Sequence, residues 1–224
     1  MTKEPDLNSA YALETVDDAK RLYADWAETY DSDFSDAQGY VLPLEVVRAF
    51  VSEGGDGPVL DVGAGTGLVG EGLFASGVGP VDAVDLSEEM LAVAATKGIY
   101  RDHIAADITR PLNLKSYRGV VSAGTFTLGH VGPEGMKPLL DIAEPGCLFV
   151  ISVNAAHFAT AGFSAFLAEI EMEITAYRFE DVRIYTNKSD LSHRYDIARL
   201  LIFRKAEAPD RLVGFKTFDD VVGM

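Results

Sequence analysis

Residues 59–70 read V-L-D-V-G-A-G-T-G-L-V-G, and the fold turns on how this stretch is read. The apolar run ending at Val62 has the character of a buried strand, and a helical pattern begins at Leu68. A chain passing directly from one to the other needs conformations that only glycine adopts cheaply, and missing side chains let a ligand lie against the backbone. The new helix then offers unpaired N–H groups to an anion, either a phosphate or a carboxylate. Ten of the 21 glycines fall between residues 54 and 79. Gly63, Gly65 and Gly67 stand where an open α/β sheet has its ligand crevice.

Outward from this turn, apolar runs alternate with helical patterns. Strands are expected over 58–62, 81–85, 103–106, 120–123 and 148–153, with helices over 68–75, 88–97 and 135–142. That βαβα alternation predicts parallel strands buried on both faces. After a helix over 164–173, two strand-like runs follow at 176–186 and 195–203. Their N-K-S-D-L-S-H connection is too short for a helical crossover, so the pair is expected to be antiparallel. Toward the N-terminus, 44–52 reads as a helix closed by Gly54-Gly55. A further amphipathic helix opens at Thr15 as its cap, with Ala19, Leu22, Tyr23, Trp26 and Tyr30 on one face.

Nineteen Lys and Arg against 35 Asp and Glu leave a net charge of −16, which repels phosphate backbones and anionic headgroups. Nucleic acid and membrane are therefore not expected as partners. The longest mainly apolar stretch, 147–163, is broken by Asn154 and His157 and falls short of a membrane span. The one cysteine, Cys147, cannot form an intramolecular disulfide, and no leader pattern precedes the fold, so a cytoplasmic protein is expected.

Asp85 follows Gly67 by eighteen residues, close to the offset of roughly 20 at which an acid receives ribose hydroxyls. Leu86 beside it is placed to cover a base. Ser87, ahead of E-E-M-L, is the better helix cap, which leaves Asp85 for a ligand. Asp107, in A-A-D-I, falls at the same end of the sheet; its carboxylate suits an exocyclic amine and Ile108 the ring. Gly65, Gly67 and Gly70 also satisfy the G-x-G-x-x-G of nicotinamide dinucleotide enzymes, which keeps an oxidoreductase as the alternative. Asp61 argues against it: an acid there repels a pyrophosphate but suits the ammonium of a bound amino acid. A ligand combining adenine, ribose and an α-amino acid is S-adenosylmethionine.

D-V-G-A-G-T-G at 61–67, V-D-L-S-E-E-M-L at 84–91 and A-A-D-I at 105–108 resemble the successive cofactor motifs of class I S-adenosylmethionine-dependent methyltransferases. The resemblance spans roughly residues 15–155. Y-A-D-W-A-E-T-Y-D-S-D-F at 23–34 and G-T-F-T-L-G-H-V-G-P at 124–133 are more narrowly similar to the subgroup of the Williams-Beuren syndrome region methyltransferase-like protein. The resemblance implies a Rossmann-like seven-stranded sheet of order 3-2-1-4-5-7-6 with strand 7 antiparallel, helices on both faces and an N-terminal helical lid. It adds Ala64, Met90, Ala123 and Gly124 to the cofactor-binding set. It also implies one methyltransferase domain, divided into a cap (1–53), a cofactor-binding core (54–155) and a substrate-side helix with the strand pair (156–224).

Methyl transfer from a sulfonium asks mainly for placement of the acceptor, with a base where the acceptor carries a proton. His130, in the loop after the fourth strand, is the first candidate for that base, and His157 the second. Ser122-Ala123-Gly124-Thr125 stands where enzymes acting on nucleic-acid bases carry an N-P-P-Y type motif. No cluster of acids and His near strands four and five suggests a metal. A small neutral or cationic acceptor is expected. Tyr23, Trp26 and Tyr30 bring two phenols and an indole N–H toward the sulfonium and the methionine carboxylate, and the polar stretch after them reads as a hinge. A module that binds the cofactor without turnover has the same motifs.

Overall fold

A computed structural model describes residues 16–27, 29–114, 116–128, 130–175, 177–189 and 193–207. The Thr15 cap lies outside them. Helix α1 (Val16–Trp26) leads through a π-helical turn (Tyr30–Asp36) to α2 (Leu42–Ser52). The alternating unit follows: β1 (Val59–Val62), α3 (Leu68–Ala75), β2 (Val81–Asp85), α4 (Glu88–Thr96) and β3 (His103–Ala105). Then come β4 (Tyr117–Phe126), α5 (Met136–Ile142), β5 (Ala143–Asn154), α6 (Ala155–Thr160), α7 (Phe163–Glu169), β6 (Arg178–Arg183) and β7 (Ile197–Arg204).

The seven strands lie in the order β3-β2-β1-β4-β5-β7-β6. β1 pairs in parallel with β2 and β4, and β5 pairs in parallel with β4. β7 is antiparallel to both β5 and β6, with Val150 opposite Ile202 and Phe179 opposite Leu201. This is the expected order and orientation. Successive residues of one strand serve opposite cores, because side chains alternate with period two. Val59 packs with α2, α3 and α4 on one face; Leu60 and Val62 pack with α5, α6 and α7 on the other. Burial on both sides is why the strands read as nearly continuous apolar runs.

Three local differences from expectation have clear causes. The helix expected over 164–173 is α7, which stops at Glu169, and an unexpected short helix, α6, precedes it: Asn154 Oδ1 accepts the Ala156 and His157 N–H groups to start α6, and Gly162, at φ 88°, separates the two. α1 ends at Trp26, so Tyr30 belongs to the π turn and not to the helix. That turn also occupies the stretch expected to be a hinge. No helix among the described residues is long and apolar enough to cross a membrane.

Candidate active site

The chain runs outward through β1, β2 and β3 and returns beside β1 as β4, so neighbouring βα loops diverge between β1 and β4. Such a switch point opens a crevice at the carboxyl ends of the strands. A cavity of about 220 Å³ lies there, reaching from Gly63, Ala64 and Gly65 past Asp85 and Asp107 to His130 and Asn154.

The glycine loop is held from both sides. Gly65 has φ 55°, and its N–H donates to Asp85 Oδ2 at 2.8 Å. Asp85 Oδ1 accepts the Ser87 N–H at 2.9 Å, while Ser87 Oγ caps α4 through the Met90 N–H. Burial raises the Asp85 carboxyl above its ordinary range, against the hydrogen bonds from Ser87 and Gly65. Each carboxylate oxygen retains a lone pair for a further donor. The start of α3 has Gly67 as cap and no side-chain cap, and in its first turn the Gly70 N–H is drawn inward to the buried Asp61–Tyr100 pair.

Asp61 lies beneath the loop, fully buried, with Oδ2 accepting from the Tyr100 hydroxyl at 2.6 Å and Oδ1 without a hydrogen-bond partner among the described residues. Burial pushes its carboxyl up to about 7, with the Tyr100 hydrogen bond opposing and the Asp85 charge adding. A Cβ at Gly70 would overlap the Tyr100 ring, so the glycine that completes G-x-G-x-x-G here makes room for a tyrosine. Asp107 Oδ1 accepts from the Thr109 N–H and hydroxyl at 2.9 and 2.7 Å, and these bonds lower its carboxyl.

His130 lines the same cavity as Asp85. Its Nδ1 lies 3.1 Å from the Leu128 carbonyl, an acceptor, so Nδ1 holds the proton and Nε2 the lone pair. Nε2 is shielded from solvent and has no hydrogen-bond partner among the described residues. Burial lowers the imidazole pKa, against the Leu128 bond, which keeps the ring neutral at neutral pH. The Tyr23 ring centre is 5.7 Å away.

Of the residues expected from sequence, Tyr23, Tyr30, Gly63, Ala64, Gly65, Asp85, Leu86, Met90, Asp107, Ile108, Ala123, Gly124 and His130 all line this one cavity. Three expected contacts do not. Trp26 is 2% exposed and packs edge-on against Tyr30 at 5.4 Å, as core. Gly67 faces Tyr100 and Ala94, and Asp61 sits under the loop. His157 is also outside: its Nε2–H donates to the Val131 carbonyl at 3.0 Å, and its ring packs on Phe163. Tyr40 and Tyr185 are lining residues that sequence reading missed. They meet through an isolated antiparallel bridge between segments far apart in the chain, for which a local pattern gives no signal.

Residues 59–146 match the methyltransferase domain family. No curated protein matches the chain significantly. Solved structures resemble the chain over more of its length than that match. An S-adenosylmethionine-dependent methyltransferase from Clostridium acetobutylicum has TM-score 0.56 at 15% identity, covering 83% of this chain and 99% of that one. The N-methyltransferase NodS from Bradyrhizobium japonicum, solved with S-adenosylhomocysteine, has TM-score 0.54 at 16% identity, covering 74% and 86%. The magnesium protoporphyrin IX methyltransferase ChlM from Synechocystis, also solved with S-adenosylhomocysteine, has TM-score 0.52 at 16% identity, covering 73% and 82%. At these identities the likeness is one of fold.

Proposed function

We propose that the protein is an S-adenosylmethionine-dependent methyltransferase acting on a small, uncharged or cationic acceptor, of the Williams-Beuren-like subgroup by its 23–34 and 124–133 segments. The observation that carries the reading is the continuity of one cavity from the Asp85-held glycine loop to His130. The division into cap, cofactor core and substrate side belongs to the same proposal, as does a cytoplasmic location.

The cofactor is S-adenosylmethionine, which when bound supplies a methyl group already activated by its sulfonium. The residues present fit it. Gly63, Ala64, Gly65 and the open start of α3 receive the amino-acid end, with Asp61 acting on the ammonium through space. Asp85 accepts from ribose hydroxyls, Asp107 from an exocyclic amine, and Leu86, Met90 and Ile108 cover the base. Tyr23, Tyr30 and the Ala123-Gly124 backbone border the reacting end, and His130 Nε2 takes the acceptor's proton.

Calorimetry with S-adenosylhomocysteine and with a nicotinamide dinucleotide tests this directly. The first binds and the second does not. Asp85→Ala weakens binding by about 1.5 to 3 kcal/mol, the worth of charge-assisted hydrogen bonds to ribose. Dinucleotide binding in place of S-adenosylhomocysteine would overturn the assignment.

A further inference from the structure

β1 and β4 separate β2 from β5, so Asp85 at the end of β2 and Asn154 at the end of β5 stand three strand spacings apart, roughly 14 Å across the sheet. With a nucleoside held by Asp85 and Asp107, the half of the cavity over β4, β5 and β7 is left to the methyl acceptor. Ser152 and Asn154 share one face of β5 by its two-residue period, and both line that half, with Ala198 opposite Asn154 on β7. Asn154 and Leu128 also line an adjoining groove with Tyr195 and Ile197, so they flank the way in.

The Asn154 carboxamide is oriented by the backbone that follows it. Its Oδ1 accepts from the Ala156 and His157 N–H groups at 3.0 and 3.2 Å, which only the oxygen of an amide can do. The two ends of the amide are thereby distinguished, and Nδ2 is turned away from α6. Among the described residues Nδ2 has no hydrogen-bond partner, and it is not closed off from water.

Nδ2 carries two N–H donors and no lone pair, so it suits an oxygen and offers nothing to an ammonium. A carboxylate would lose its hydration on entry with no cation in exchange, since among the described residues no lysine or arginine lines the cavity. Burial keeps the phenols of Tyr23, Tyr30 and Tyr40 protonated, which leaves that half of the wall neutral. A carbonyl oxygen meets both conditions. It accepts from N–H groups and brings neither a charge nor a donor that would be left unsatisfied.

We infer that Asn154 is a specificity-determining residue whose Nδ2 donates to the methyl acceptor, and that the acceptor is an uncharged carbonyl compound; the inference rests on the methyltransferase reading above. The carbonyl is held at the mouth of the cavity, and the atom to be methylated lies further in.

The test loads the protein with S-adenosylhomocysteine and titrates it calorimetrically with acetophenone, ethylbenzene, benzoate and benzylamine. Acetophenone and ethylbenzene share a ring and differ in the carbonyl; the other two carry opposite charges. Asn154→Asp and Asn154→Ser each keep a side-chain oxygen to cap α6 and remove the amide donor, so both variants keep the fold. Each is expected to weaken acetophenone binding roughly five- to tenfold and to leave ethylbenzene binding within about twofold, the scale of one hydrogen bond lost from one probe and not the other. In ¹⁵N spectra of asparagine-labelled protein, the side-chain amide signal that Asn154→Asp removes is expected to shift when acetophenone is added. Equal weakening of acetophenone and ethylbenzene, an Asn154 signal that acetophenone does not move, or tighter binding of benzoate or benzylamine than of acetophenone overturns the inference and leaves the cofactor reading standing. Failure of S-adenosylhomocysteine to bind overturns that reading itself and the inference with it.

Discussion

Asp61 and Asp85 flank the same glycine loop, one beneath it without solvent and one holding it through the Gly65 N–H. The carboxyl of Asp61 is lifted to about 7 by burial, whereas an unfolded chain titrates near 4. Between those values the folded protein holds a proton that the unfolded chain has released. The group's contribution to stability is therefore fully present below about pH 4 and is lost as pH rises through about 7. A bound ammonium works in the opposite direction, since it favours the carboxylate. Affinity for S-adenosylhomocysteine should rise by up to about tenfold from about pH 6 to about pH 8, and Asp61→Asn should remove that dependence. Calorimetry across this range checks it; a flat wild-type profile would detach Asp61 from the ligand. Residues of this kind were legible because their spacing is local: the loop, Asp85 and Asp107 each follow a strand end. Tyr100 was not, since its role depends on reaching Asp61 across the helix face that Gly70 leaves open.

At the scale of an element, the N-terminal segment is fastened to the cofactor loop by one side chain. Asp31, in the π turn, accepts from Thr66 Oγ1 at 2.5 Å and from Lys97 Nζ at 2.8 Å, and Lys97 also reaches Glu71 at 2.9 Å. Thr66 belongs to the glycine loop, so movement of the segment and opening of the loop are coupled. Asp31→Ala should speed release of S-adenosylhomocysteine by roughly three- to tenfold, since it removes two charge-assisted hydrogen bonds from a partly exposed carboxylate. Stopped-flow fluorescence of Trp26, the chain's only tryptophan, follows this without a label. Wild-type emission should shift on ligand binding, and unchanged release from the variant would make the contact incidental. The sequence displayed the aromatic stripe but not its division of labour. Spacing alone put Tyr23, Trp26 and Tyr30 on one helical face. The helix stops at Trp26, which buries the indole and leaves the two phenols at the cavity.

For the whole molecule, sheet order and strand direction were readable because crossover length and two-sided burial leave few topologies. The same scale governs charge. With a net charge of −16, self-repulsion opposes the compact state, and salt screens it within a Debye length of about 10 Å at 0.1 M. The midpoint of thermal unfolding should rise by a few degrees between about 0.01 and about 0.2 M sodium chloride, as measured by circular dichroism. A falling midpoint would mean that the surface ion pairs outweigh the repulsion. The bridge between Tyr40 and Tyr185 has a consequence in time. During synthesis Tyr40 emerges long before its partner, and by the time Tyr185 follows, the glycine loop and Asp85 already have their neighbours from β1 and β2. The nascent chain thus has the glycine loop and Asp85 in place before Tyr185 arrives to close the cavity wall against Tyr40.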